Sequence, residues 1–284
     1  NQKLLLKKGW LKLLNGSIKK LMGKKILLFT TIGKLSEESQ AHVNASFQSW
    51  KDYGLDILVF GETFHKDLCN KFDAILDTSV EKSEFGIPLV RSLFVKALQY
   101  EGYDLFCYIN SDIIFNKDPR PLLELIEYKS FMAVGQRLDV WDWPNNSKEE
   151  IHNPGGIDYF FMTKDFRDWS DMPDFSIARG RFDHWIMGKA LGSGKAVVDL
   201  TEVFLPIHPE PKNRVSANPD IQYANGMVKL GYQQYRNMNI FLDLQCHGQT
   251  NMTPLIMTEK GIVKRKDIPL NEFKHQFEYD YEKF

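Results

Sequence analysis

The stretch "YDLFCYINSDIIF", Tyr103–Phe115, decides how this chain is read. Its two ends are apolar enough for a buried strand, yet Asn110, Ser111 and Asp112 interrupt the middle. An ionised carboxylate is costly to bury without compensation. Either the strand stops there and Asp112 faces a cleft, or Asp112 holds something that balances its charge. The residues around it favour a strand ending at a ligand-binding edge.

Upstream, "KKILLFTTIG" (Lys24–Gly33) reads as a buried first strand running into a turn. A helix follows, with Ser36 as its N-cap, acids in the first turn and Gly54 as its stop. "LDILVFGE" (Leu55–Glu62) and "FDAILD" (Phe72–Asp77) read as the second and third strands. "IPLVRSLFVKALQYEG" places Leu89, Leu93, Phe94, Ala97 and Leu98 at helical spacing, and the Tyr103–Phe115 stretch supplies a fourth strand. Strands alternating with helices predict an α/β fold, a mostly parallel sheet with helices on both faces. Ligands bind such sheets beyond the carboxyl ends of the strands. That rule puts Thr30, Thr31, Gly61, Glu62, Asn110, Ser111 and Asp112 on one rim. "DVWDWPNNSKEEIHNPGG" (Asp139–Gly156) reads as a long loop bordering it.

Composition excludes several classes. The formal net charge of −1 argues against a nucleic-acid binder. The three cysteines, Cys69, Cys107 and Cys246, form no CxxC and read as reduced structural thiols. Sequons stand at Asn15, Asn44, Asn145 and Asn251; without a visible signal peptide the expected location is cytoplasmic. No apolar run reaches the roughly 20 residues needed to span a bilayer. Residues 1–23 are basic and amphipathic, with Leu4, Leu11, Leu14, Ile18 and Leu21 at helical spacing between lysines. This segment reads as an interfacial helix giving peripheral membrane contact, or as a docked helix or linker to a neighbouring domain. Residues 24–284 read as one domain.

Asp112 beside Asn110 and Asp118 suits a hard divalent cation, or else a turn in which the carboxylate caps its own backbone. Arg91 and Arg137 are candidates to balance phosphate charge, though Arg91 could equally pair with a helix-surface acid. Gly155 and Gly156 precede Asp158, permitting either close approach to a ligand or a plain turn. Asp183 opens the helix of "RGRFDHWIMGKAL", where it is either a general base or a helix-terminal carboxylate. His208, in "VFLPIHPEP", is a cation ligand or a satisfied structural histidine, with His247 a weaker substitute.

The stretch "YDLFCYINSDIIF" resembles the strand-plus-D-x-D segment of GT-A glycosyltransferases, which use nucleotide-diphosphate sugars. "NASFQSW", "ILVFGE", "EFGIPLVRSLFVKA", "MAVGQRLDV", "GGIDYFFM", "RGRFDHWIM" and "RNMNIFLDLQ" continue the similarity, in order, along most of the chain. The resemblance implies a GT-A-like, Rossmann-like, mostly parallel central sheet flanked by helices. It implies a nucleotide-diphosphate sugar donor, UDP-sugar favoured, and a glycan or other hydroxyl acceptor. It implies Mn2+ or Mg2+ held by Asp112 and His208, and an inverting transfer with Asp183 as base. Asp158 and Gly156 would line the sugar pocket. Asn110 departs from the resemblance, because that position is usually acidic. The departure keeps open a non-catalytic nucleotide-sugar or carbohydrate-binding module. A sugar nucleotidyltransferase ranks behind it, because "FTTIGKL" offers only Gly33 and Lys34 where a glycine-rich basic loop is expected. GxSxG, P-loop and GxGxxG signatures are absent.

Overall fold

The computed structural model of the chain describes residues 23–145, 147–210, 221–224, 227–230, 237 and 246–267. The basic segment read over 1–23, Gly23 apart, and most of "RNMNIFLDLQ" lie outside them. Strand β1 (Ile26–Thr31) is buried along five of its six residues, as expected for a central parallel strand covered on both faces. Helix α1 (Glu37–Asp52) begins as its sequence dictates: the Ser36 side chain accepts from Ser39 N, and Glu37 and Glu38 lie in the first turn. Strand β2 (Asp56–Phe60), helix α2 (Lys66–Lys71), strand β3 (Ile75–Asp77) and helix α3 (Val90–Ala97) follow in the expected order.

The fourth strand is shorter than "YDLFCYINSDIIF" suggested. Strand β4 covers Leu105–Ile109 only, and Asn110–Ile113 make a turn in which Ile113 N donates to Asn110 O at 3.3 Å. Two side chains of α1 fasten this turn: Trp50 Nε1 donates to Ile113 O at 2.9 Å, and Phe115 N donates to Ser49 Oγ at 3.0 Å. The strand stops where the polar residues begin because those residues face the sheet's edge.

Helix α4 (Arg120–Glu124) and strands β5 (Phe131–Val134), β6 (Leu138–Trp141), β7 (Lys148–Ile151) and β8 (Tyr159–Met162) come next. The region read as a loop from Asp139 to Gly156 thus contains most of an antiparallel β6–β7 hairpin. Its strands are short and rich in charge, which hides them from a hydrophobicity-based reading. Helix α5 (Phe182–Leu191), strands β9 (Ala196–Asp199), β10 (Ile207–Glu210), β11 (Ile221–Ala224), β12 (Met227–Leu230), β13 (Leu255–Thr258) and β14 (Gly261–Lys264) complete the described chain.

The main sheet has nine strands in the order β14-β13-β9-β5-β8-β4-β1-β2-β3. All its pairs are parallel except those of β8 with β4 and β5 and of β13 with β14. Alternate residues of β1 feed two cores: Leu27 and Phe29 pack with α3 and α5, and Ile26 and Leu28 with α1, α2 and α4. A second sheet, β10-β6-β7, is tied to the chain after β4 by paired backbone hydrogen bonds between Ile114 and Ile207, each 2.8 Å. Among the described residues no helix is long and apolar enough to cross a membrane.

Candidate active site

A cleft of about 630 Å³ opens at the carboxyl ends of β1, β2 and β4. Its size falls within the range of small-ligand sites. Thr31, Gly61, Glu62, Asn110, Ser111, Asp112, Asp158 and Asp183 all line it. Thr30, one residue back on β1, turns into the protein and is 1% exposed. Thr31 faces the cleft and donates its hydroxyl to Phe60 O at 2.8 Å. Gly61 is confined by packing: a Cβ there would sit 2.7 Å from His65 Nδ1.

Several predicted groups lie elsewhere. Arg91, on α3, is not part of the cleft lining; it pairs with Glu81 at 2.9 Å and Asp174 at 3.1 Å. Asp118 is gripped by Arg120, with Nη2 2.7 Å from Oδ2, rather than standing beside Asp112. Gly156 is not part of the cleft lining, and a Cβ there would meet His152 Cδ2 at 1.9 Å. His247 stacks on His184, ring centroids 4.6 Å apart. His208, on the short strand β10, is not part of the cleft lining itself.

From the cleft lining inward, a polar network joins the end of β4, the start of β8, β6 and the end of β7. Tyr108 donates its hydroxyl to Asn110 Oδ1 at 2.7 Å, and Asn110 Nδ2 donates to Asp158 Oδ1. Arg137 donates to the other Asp158 oxygen and, through Nε, to Asp139 Oδ1 at 2.8 Å. His152 Nδ1 is 2.6 Å from Asp139 Oδ2. Burial would raise the Asp139 carboxyl, but hydrogen bonds with His152, His208 and Arg137 hold it well below the usual range. Asn110 thus bridges Tyr108 and Asp158.

Asp112 and His208 meet because the Ile114–Ile207 bridge lays the post-β4 segment along β10. His208 Nε2 is 3.5 Å from Asp112 Oδ2. Its Nδ1 lies 3.4 Å from Asp139 Oδ1 and 3.3 Å from Glu210 Oε1. Burial works against a charged imidazole, yet these carboxylates hold His208 well above its ordinary value. Desolvation alone would raise Asp112, but the neighbouring His208 keeps its carboxyl below the usual range. The donor set of carboxylate oxygens and one imidazole fits a divalent cation, and Asp139, His208 and Glu210 each bring one ligand atom within 4.8 Å of the others.

Asp183 sits in the first turn of α5 with Oδ1 accepting from His184 N at 2.9 Å. Burial pushes its carboxyl up to about 7; the His184 amide opposes this, and the charge of Asp158 adds to it. The loop leading to α5 holds Ala178 and Arg181 at φ 58° and 72°, a left-handed backbone that side chains rarely adopt and that collects at functional sites. Lys34, Lys82 and Arg179 bring cationic groups to the cleft, and Phe64 stands in its wall 66% exposed.

Sequence reasoning missed Asp139, His152, Glu210, Lys82, Arg179 and Phe64. For two of them a signal existed: Arg137/Asp139 and His208/Glu210 are each spaced by two, the period of one strand face.

No protein-family profile matches the chain, and no curated protein matches it in sequence. Among solved structures it is similar to TarS residues 1–349 from S. aureus, 12% identical, TM-score 0.46, covering 65% of this chain and 60% of that one. It is also similar to GalNAc-T7, solved with UDP, GalNAc and Mn2+, 11% identical, TM-score 0.47, covering 66% of this chain and 44% of that one. HddC from Yersinia pseudotuberculosis is 13% identical, TM-score 0.34, covering 55% of this chain and 84% of that one. The mostly parallel, helix-flanked sheet is the α/β architecture that the alternation of strands and helices predicts.

Proposed function

We propose that the chain is a nucleotide-sugar-dependent glycosyltransferase that moves a sugar to an acceptor hydroxyl, metal-assisted and with inversion. The observation that carries this reading is the convergence of Asp112, Asp158 and Asp183 on one cleft at the carboxyl ends of β1, β2 and β4. Each has a different environment, which suits different tasks. Asp183, with its carboxyl near neutrality, is suited to take the proton of the attacking hydroxyl. Asp158, clamped by Arg137 and Asn110, is suited to fix a sugar hydroxyl. Asp112 and His208 would hold Mn2+ or Mg2+, which supplies positive charge for the donor diphosphate and its leaving nucleotide. Lys34 and Arg179 add positive charge to the same cleft, where Lys82 pairs with Glu62. Phe64 offers a face on which a nucleobase can stack.

A second reading, a binding module without turnover, is favoured by Asn110, whose amide is spent on Tyr108 and Asp158 rather than aimed at a cation. One pair of measurements separates the two. A thermal-shift panel of UDP-, GDP- and dTDP-sugars with and without Mn2+ should raise Tm, because ligand at 100 times Kd stabilises by about 2.7 kcal/mol. Nucleotide release from the shifting donor should then be present in the wild type and lost in Asp183→Asn. A shift without release supports the module; no shift with any donor removes both.

A further inference from the structure

We propose that Asp139 and Glu210 are positioning residues for His208: facing its Nδ1 from the buried side, they turn Nε2 toward the cation shared with Asp112. This rests on the metal-assisted reading above. His208 and Asp139 are register partners on the parallel strands β10 and β6. Glu210 lies two residues further along β10, on the same face. The ring is consequently flanked by acids of two kinds. On the Nδ1 side Asp139 and Glu210, with side chains 6% and 2% exposed, stand at 3.4 and 3.3 Å. On the Nε2 side Asp112, 43% exposed and lining the cleft, stands at 3.5 Å. An imidazole ligates through one nitrogen and carries its proton on the other. The acceptor of that proton sets both the tautomer and the ring's orientation. Nε2 is the nitrogen beside Asp112, which lines the cleft, so the buried acids belong to Nδ1. Asp139 is itself held by Arg137 Nε at 2.8 Å and His152 Nδ1 at 2.6 Å, which keeps the acceptor from following the ring.

The same side chains offer a competing arrangement, a cation lodged among Asp139, His208 and Glu210 and bound through Nδ1. The guanidinium of Arg137 already on Asp139 Oδ1 opposes a second positive charge there. Mutant behaviour distinguishes the two arrangements. Mn2+ is titrated into the full chain, with UDP present, while the free-ion EPR signal is followed and Tm is used to confirm folding. Asp112→Ala should abolish binding. Glu210→Leu should weaken it about tenfold or more, and Glu210→Gln should recover most of the loss, since its amide oxygen can stand where the carboxylate oxygen stands, 3.3 Å from Nδ1. Asp139→Ala provides a second, independent variant with the same expectation as Glu210→Leu. Wild-type affinity in folded Glu210→Leu and Asp139→Ala would overturn the positioning role and leave the Asp112 site standing. Loss in Glu210→Gln with binding retained in Asp112→Ala would overturn it in favour of the buried cation. A wild type that takes up no Mn2+ overturns this inference together with the metal-assisted reading.

Discussion

Asp183 is the residue whose environment makes the sharpest demand on the proposed chemistry. Its carboxyl is pushed up to about 7, first by burial and further by Asp158. A base must be ionised to accept a proton, so kcat/KM should rise with pH through about 7 and level off above it. The same shift has a stability consequence of opposite sign. The folded protein holds this proton more tightly than the unfolded chain, so the contribution of Asp183 to stability declines as pH climbs from about 4 to about 7. Asp183→Asn should therefore abolish nucleotide release while raising Tm, with the gain larger at pH 8 than at pH 5. Equal melting temperatures for the two proteins at pH 8 would remove the buried-charge assignment. Asn110, the residue that departs from the resembled pattern, has a local physical explanation. It joins the Tyr108 hydroxyl to Asp158, a role that needs both a donor and an acceptor. A carboxylate there would face Asp158 without a proton between them.

At the scale of elements, the long apolar segments declared themselves and the short charged ones did not. β1, β2 and β4 are runs of buried residues ended by polar ones, and α1 carries its own cap and first-turn acids. β6, β7 and β10 have four residues each; Asp139 on β6 meets His208 on β10, while Lys148 pairs with Glu150 within the exposed β7. Nothing local in Arg137–Trp141 or Ile207–Glu210 announces that His208 lies opposite Asp139. The β6–β7 hairpin also explains Gly156. A side chain there would displace His152, whose ring holds Asp139. Gly156→Ala should destabilise the protein by about 1–3 kcal/mol, the usual cost of overpacking, and lower Mn2+ affinity with it. Urea melts and an Mn2+ titration check this; an unchanged midpoint would show that the hairpin yields easily.

Across the whole molecule, the cleft depends on how α1 fastens the turn after β4. Trp50 is fully buried, packs on Phe47 with ring centroids 4.9 Å apart, and donates its indole N–H to Ile113 O. Trp50→Phe keeps most of the packing and leaves that buried carbonyl unsatisfied, at a cost of about 1–3 kcal/mol. Because the freed carbonyl is one residue from Asp112, donor binding should weaken in the same variant beyond what global stability accounts for. Isothermal titration with UDP in the presence of Mn2+ measures this; unchanged affinity would mean that the turn is held by Ser49 and the Ile114–Ile207 bridge alone.

The alternation of apolar strands and helices, the capping of α1 and the polar end of β4 follow from local chemistry. Each depends on residues close together in the chain, and so each could be read before any fold was known. They were enough to specify the α/β class and to put Thr31, Gly61, Glu62 and Asp112 on one rim. The remainder of the candidate site arises from contacts between distant segments. Asp112 meets His208 across a backbone bridge, and Asp158 meets Arg137 from a different strand. Arg91 illustrates the same limit from the other side. Its sequence context suits a phosphate ligand, but Glu81 and Asp174, brought near by the fold, already neutralise it. Pairings between charged groups far apart in sequence are set by strand order and register, and these emerge only when the two cores close on the sheet.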